Sequence, residues 1–231
     1  MNSINQNKEA LHKNGYLITK SVFKDKELEE LINLLKTSEK NYAVRQLITK
    51  EPKNQKIIFQ NEKFKELYNS VCTKDYFLSK AIFFNKPRKS NWFVSYHQDL
   101  SISAKEKVKV KDYTNWTNKN GQLGVIPPKE ILERTITIRI HLDKTDETNG
   151  ALRVIPNSHT KGIIRIDTSF NKNDFGKEVL CKVDKGAIML MKPLLLHASS
   201  KSISEFDRRV IHLEFCNKEI PMQWLEKREV V

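Results

Sequence analysis

The residues whose types and spacing best suit chemistry lie in the run Ser95-Tyr96-His97-Gln98-Asp99. On a strand, or at its end, side chains two apart share a side. His97 and Asp99 then face one way, and Gln98 points away or along the rim. An imidazole and a carboxylate so placed can fill two neighbouring positions on a metal ion. A third ligand from elsewhere would complete a facial triad with three open positions, the arrangement of non-haem Fe(II) oxygenases. Taken alone, His-x-Asp also fits a rim histidine hydrogen-bonded to a turn aspartate.

The distal part of the chain adds weight to the metal reading. His197 follows the apolar run Leu194-Leu195-Leu196, and Arg208 stands 11 positions later at the head of the apolar segment 208–215. Strand alternation puts Arg208, Val210 and His212 on one face, and Arg209, Ile211 and Leu213 on the other. A guanidinium directed into a barrel needs an anion, because an unpaired buried charge is heavily penalised. A dicarboxylate co-substrate supplies one through a two-pronged contact that lysine cannot reproduce.

These groups must be held by a frame, and the frame is legible. The 231 residues suit one domain, with no internal repeat or Gly/Ser linker. The spacing predicts a short helix over 7–14 ended by Gly15, a strand over 16–20, and helices over 24–37 and 63–72. From residue 81 onward short strands follow one another: 81–85, 93–97, 135–142, 151–155, 179–183, 187–191, 194–198 and 208–215. Turn signals such as Asn149-Gly150 and Asp184-Lys185-Gly186 separate them. The expected fold is mainly β: a double-stranded β-helix, or jelly roll, over 81–218, with a helical layer from 1–80 packed on one sheet. Segment 101–132, which holds Trp116 and Pro127-Pro128, breaks the rhythm and reads as a lid or an insertion.

Composition narrows the partners. Net charge is +13, but 32 of the 41 basic residues are Lys, spread along the chain rather than gathered into a patch. A nucleic-acid face usually clusters Arg and Lys with aromatics, so a solvated lysine-rich surface is the preferred reading. Run 105–111 is read in the same way, as a solvated loop rather than a phosphate strip. Three widely spaced cysteines suggest neither disulfides nor a zinc site. No apolar run approaches a membrane span, and the first residues lack the apolar core of a signal peptide, so a cytoplasmic location is expected.

The order His-x-Asp, distal His, then Arg resembles the phytanoyl-CoA dioxygenase family of Fe(II)- and 2-oxoglutarate-dependent oxygenases. So do Gly15-Tyr16 near the start, Asn85-Lys86-Pro87 ahead of the His-Gln-Asp run, His197-Ala198-Ser199, and the stretch from Asn149-Gly150-Ala151-Leu152 to Pro156-Asn157-Ser158-His159. The resemblance implies that His97, Asp99 and His197 hold the iron and that Arg208 holds the distal carboxylate of 2-oxoglutarate. It implies further co-substrate contacts from Gln98 and Ser199, and an apolar wall at Ile82. It also implies a reaction that consumes O2, releases succinate and CO2 and hydroxylates a small molecule, since related halogenases keep the Asp99 position small. Asn157 stands where the family usually has Gly, a change that a left-handed turn tolerates. Arg139 falls where a co-substrate-binding Trp is expected; it either supplements Arg208 or faces a substrate carboxylate.

Other residues weigh less. His141 and His212 fall on inward faces and read as hydrogen-bonded pocket histidines, with His141 a lesser substrate candidate. Trp92 and Trp116 are candidates for the substrate mouth. His159 reads as structural and His12 as inert; Arg45, in the mostly apolar stretch 42–48, is read first as a surface cation and second as one that reaches the pocket. Two competing functions remain open: a nonenzymatic jelly roll binding an anionic partner, and an oxygenase acting on nucleic acid.

Overall fold

A computed structural model of the chain describes residues 2–36, 42–119 and 121–229. The N-terminal third is helical: α1 (Asn2–Asn14), β1 (Tyr16–Ser21), α2 (Asp25–Leu35), β2 (Ala43–Arg45), α3 (Leu47–Lys50), α4 (Lys53–Phe59) and α5 (Glu62–Val71). Gly15 ends α1 with φ +80, and a Cβ there would fall 2.5 Å from Nδ1 of His159. The Glu27 carboxylate accepts the Lys24 N–H at the start of α2, and Asn61 Oδ1 accepts the Phe64 N–H to cap α5. The helix expected over 24–37 ends at Leu35, and Thr37 lies outside the described residues.

The rest is β: β3 (Phe77–Lys86), β4 (Val94–His97), β5 (Ile102–Ala104), β6 (Thr114–Lys119), β7 (Gln122–Ile126), β8 (Thr135–His141), β9 (Leu152–Val154), β10 (Val179–Cys181), β11 (Ala187–Met191), β12 (His197–Ser199) and β13 (Arg208–Cys216), with the short α6 (Lys129–Glu133) before β8. Six strands form the main sheet in the order β1-β11-β8-β13-β3-β2, and four form a second sheet, β10-β9-β12-β4. This is an open jelly roll, two antiparallel sheets that do not close into a continuous barrel.

Alternation divides the main sheet into two unlike faces. Ile136, Ile138 and Ile140 of β8, with Ile211, Leu213 and Phe215 of β13, point outward and bury against Leu28, Leu31 and Phe64 of the helices. Phe215 meets Tyr68 edge-on with ring centroids 5.1 Å apart, and truncation to Ala would cost about 3–5 kcal/mol. The inner face carries Lys80, Ile82, Phe84, Thr137, Arg139, His141, Arg208, His212 and Glu214. It is polar because it walls a site.

One expectation needs correction. Residues 194–196 are a turn after Pro193, with Leu195 N–H donating to the Lys192 carbonyl, and the strand begins only at His197. The three leucines are apolar because they are buried, not because they are extended. Segment 101–132 is a built element: β5, β7 and β6 make a third sheet, packed through Ile102, Ala104 and Val125 against Met222 and Trp224.

Candidate metal and co-substrate site

The second sheet brings the two histidines together by register. His97 at the end of β4 pairs directly with His197 at the start of β12, and their rings stand 4.2 Å apart. Each imidazole is oriented by the carbonyl two residues back in the chain: His97 Nδ1 lies 2.9 Å from Ser95 O, and His197 Nδ1 lies 2.8 Å from Leu195 O. Nδ1 therefore carries the proton in each ring, and the Nε2 lone pair is free to bind a cation. Asp99 follows β4, its N–H held by the Pro193 carbonyl at 2.9 Å.

The Nε2 atoms of His97 and His197 lie 3.8 Å from Oδ1 and Oδ2 of Asp99 respectively. That separation is too long for a hydrogen bond and within the span of two metal–ligand bonds of about 2.1 Å each. One ligand atom from each of the three residues lies within 4.8 Å of the other two. Burial works against the charged carboxylate of Asp99, but His197, His212, His97 and Lys80 hold its carboxyl well below the usual range. Burial pushes the His197 imidazole down to about 4. An ionised carboxylate beside an imidazole kept neutral, as His197 is, suits a metal-binding set.

Beside the triad lies a cavity of about 140 Å³ lined by Arg139, Arg208, Ser199, Trp92 and Leu152, among others. Arg208 is 4% exposed, and its Nε and Nη1 have no hydrogen-bond partner. Burial lowers its pKa to about 9, reinforced by the like charge of Arg139. Arg139 donates through Nη1 to His212 Nδ1 at 3.0 Å, while its Nε is also unpartnered. Lys86, paired in register with Arg208, is fully buried and donates to the Ser200 carbonyl. Gly150 permits that approach, since a Cβ there would lie 2.6 Å from Lys86 Nζ. So much buried positive charge, with donors left open, fits an anionic co-substrate bearing carboxylates.

A second cavity, about 410 Å³, opens on the other side of the triad. Phe84, His97, Asp99 and His212 line both chambers, so the metal ligands stand where the two meet. The third sheet walls the larger chamber through Asn115, Thr117 and Gln122, with Ile82 on the main sheet opposite.

The structure thus gathers His97, Asp99, His197, Arg208, Arg139, Ser199 and Trp92 around one centre, with Ile82 in the adjoining chamber. Other candidates are placed differently. Gln98 lines the larger chamber rather than the Arg208 pocket, and its amide is engaged by the backbone: Nε2 donates to the carbonyls of Gly162 and Leu194, and Oε1 accepts the Ile164 N–H. It fastens the 162–164 loop. Trp116 packs against the cluster around Ile102 and Val125 and lines neither chamber. His141 is on the inner face but lines neither chamber, its Nδ1 bonded to Thr145 Oγ1 at 2.8 Å. Arg45 takes the second of its two readings, since it lines the larger chamber half-buried rather than standing on the open surface. Only its register opposite Ile82 reveals this, and β2 is too short to read from periodicity.

Fold and triad together define a metal-dependent oxygenase of the jelly-roll class. The chain belongs to the phytanoyl-CoA dioxygenase (PhyH) family, whose sequence profile matches residues 11–210. No curated protein sequence matches it. Solved structures with the same fold include the non-haem α-ketoglutarate-dependent epimerase SnoN from nogalamycin biosynthesis (10% identity, 94% of this chain and 81% of that one, TM-score 0.70). Others are EctD from S. alaskensis with 2-oxoglutarate and 5-hydroxyectoine (15%, 92% and 75%, 0.70) and HygX from Streptomyces hygroscopicus with nickel and 2-oxoglutarate (15%, 91% and 85%, 0.64). Among the described residues no helix is long and apolar enough to cross a membrane.

Proposed function

We propose that this oxygenase is an Fe(II)- and 2-oxoglutarate-dependent hydroxylase of a small molecule. The observation that carries the reading is the adjacency of the His97–Asp99–His197 set to Arg208, a buried guanidinium with two unpartnered nitrogens. A binding module has no use for both. The triad donors suit ferrous iron, with two neutral nitrogens and one carboxylate, and the Arg208 pocket suits the far carboxylate of 2-oxoglutarate. Bound iron and 2-oxoglutarate supply the oxidising chemistry, in which O2 is consumed, 2-oxoglutarate becomes succinate and CO2, and an oxygen atom reaches the substrate.

The chain's own residues set the geometry. His97 and His197 are locked by the Ser95 and Leu195 carbonyls, so both Nε2 atoms aim at one point. Asp99 supplies the third ligand and leaves no protein-side vacancy for a halide, which supports hydroxylation. Arg208 and Ser199 orient the co-substrate from the β13 and β12 sides, and Arg139, on the co-substrate side of the triad, adds a second guanidinium. The apolar Ile82 and Phe84 flank the larger chamber, where substrate would sit. The test is succinate release with Fe(II), 2-oxoglutarate and O2 against a metabolite library. Release that depends on a substrate supports the reading, and a library-wide absence in metal-loaded enzyme counts against it.

A further inference from the structure

The larger chamber has a chemical character of its own. Register sets Arg45, Ile82, His212 and Arg139 in one cross-strand row on the inner face of the main sheet. Arg139 ends the row on the co-substrate side, and Arg45 ends it in the larger chamber. Arg45 is half-buried there and makes no ion pair or hydrogen bond to a described residue. Lys119 stands at the rim of the same chamber. The other cation, Lys80, is already engaged, its Nζ 2.8 Å from Glu214 Oε1 and donating to the Ser101 carbonyl. The chamber therefore holds uncompensated positive charge at one end.

Its opposite wall presents acceptors. Gln122 is 7% exposed; its Nε2 donates to Ser103 Oγ at 2.6 Å, and its Oε1 is buried without a partner. A buried acceptor left open is destabilising until a ligand donor meets it. Asn115 lines the same wall with φ 51, at the point where the β6–β7 register shifts. A bulge of that kind redirects a side chain. About 410 Å³ is a small-ligand volume. A long acyl chain would meet amides and charges along this wall, at a desolvation cost.

We infer that the substrate is a small polar anion, gripped at its anionic end by the free guanidinium of Arg45 and offering hydroxyl or ammonium donors to Gln122. The inference rests on the proposed function and names the substrate class of that same site. Arg45 lies two strand spacings, about 10 Å, from the His212 backbone. That length lets an anion seated on Arg45 place a carbon beside the triad. A guanidinium fork matches carboxylate and phosphate alike, so the shared requirement is an oxyanion.

The experiment uses matched pairs: hydroxy and amino acids beside their methyl esters, and hexose 6-phosphates beside the parent hexoses. Two readouts are taken. Arginine-directed labelling with phenylglyoxal, followed by mass spectrometry at Arg45, reports occupancy without turnover; succinate release reports catalysis. The anionic member of at least one pair should slow labelling at Arg45 and stimulate succinate release, while its neutral partner does neither. Which pair responds separates carboxylate from phosphate. Arg45→Gln should raise KM for that anion about 10- to 100-fold, with partial recovery in Arg45→Lys. Turnover of neutral members with Arg45 left unprotected, or a KM in Arg45→Gln within twofold of wild type, overturns the inference while leaving the oxygenase standing. Protection at Arg45 without succinate from any pair has the reverse meaning: the anion site stands and the proposed reaction falls.

Discussion

Arg139 and His212 are joined by a hydrogen bond of 3.0 Å between Nη1 and Nδ1, and that bond fixes the imidazole's tautomer. A guanidinium can only donate, so Nδ1 accepts and the ring proton sits on Nε2, which donates to Glu214 Oε1 at 3.0 Å. The chain continues from Glu214 to Lys80. A polar link thus runs from the co-substrate pocket, past the triad, into the larger chamber.

His212→Leu removes both hydrogen bonds that His212 contributes to this link. Arg139 loses its only hydrogen-bond acceptor among the described residues, and its guanidinium is no longer held in place. The dissociation constant for 2-oxoglutarate should rise about tenfold, equivalent to about 1.4 kcal/mol, with Fe(II) affinity changing much less. Anaerobic equilibrium binding of each ligand checks this. Parallel losses in both would place His212 in the metal site instead.

Arg208 should show opposite effects on binding and on stability. With no anion present it is a buried cation with two unpartnered nitrogens, and such a charge destabilises the fold. Arg208→Met should raise the thermal midpoint of the protein without ligands and abolish 2-oxoglutarate binding. Arg208→Lys should keep the charge but weaken binding by a factor of about 30 or more, for want of the two-pronged contact. Thermal melts with and without 2-oxoglutarate report both effects.

Asp99→Ala takes away the only carboxylate of the triad. Substrate-dependent succinate formation should be lost, and metal affinity should fall at least tenfold, as read by competition with a chromophoric chelator. Full activity in this variant would remove Asp99 from the ligand set.

A fourth prediction concerns stability against pH. Glu226 is 3% exposed, and burial raises its carboxyl to about 7 although Oε2 accepts the Ala81 N–H. Between about pH 4.5 and 7 the folded chain holds a proton that the unfolded chain has released, so stability falls as pH rises through this window. The contribution is on the order of 3 kcal/mol. Glu226→Gln should be more stable than wild type at pH 8 and closer to it at pH 5. Urea unfolding at the two values checks the difference, and a variant that tracks wild type at both would contradict it.

Much of this was legible because strand alternation is local. It places Arg208 and His212 on one face, and the His-x-Asp spacing works at the end of β4 as it does on paper. The turn at Asn157 also follows, with φ 67 in a residue that tolerates it. What could not be read depends on contacts distant in sequence. Gln98 is bound by three backbone groups, around 162–164 and at Leu194, that no spacing rule brings to it. Arg45 sits on a strand of three residues, and only pairing with β3 turns it inward. The 101–132 segment carries no sustained alternation because its strands are short and the β6–β7 register shifts between Thr114 and Thr117.

The most direct test is anaerobic titration of the protein with Fe(II) and then 2-oxoglutarate, followed by visible absorption. A metal-to-ligand charge-transfer band should appear at one equivalent of each and vanish in Asp99→Ala. A wild-type protein that binds neither ligand, or whose band survives that substitution unchanged, would mean that the two imidazoles and the carboxylate do not share an ion.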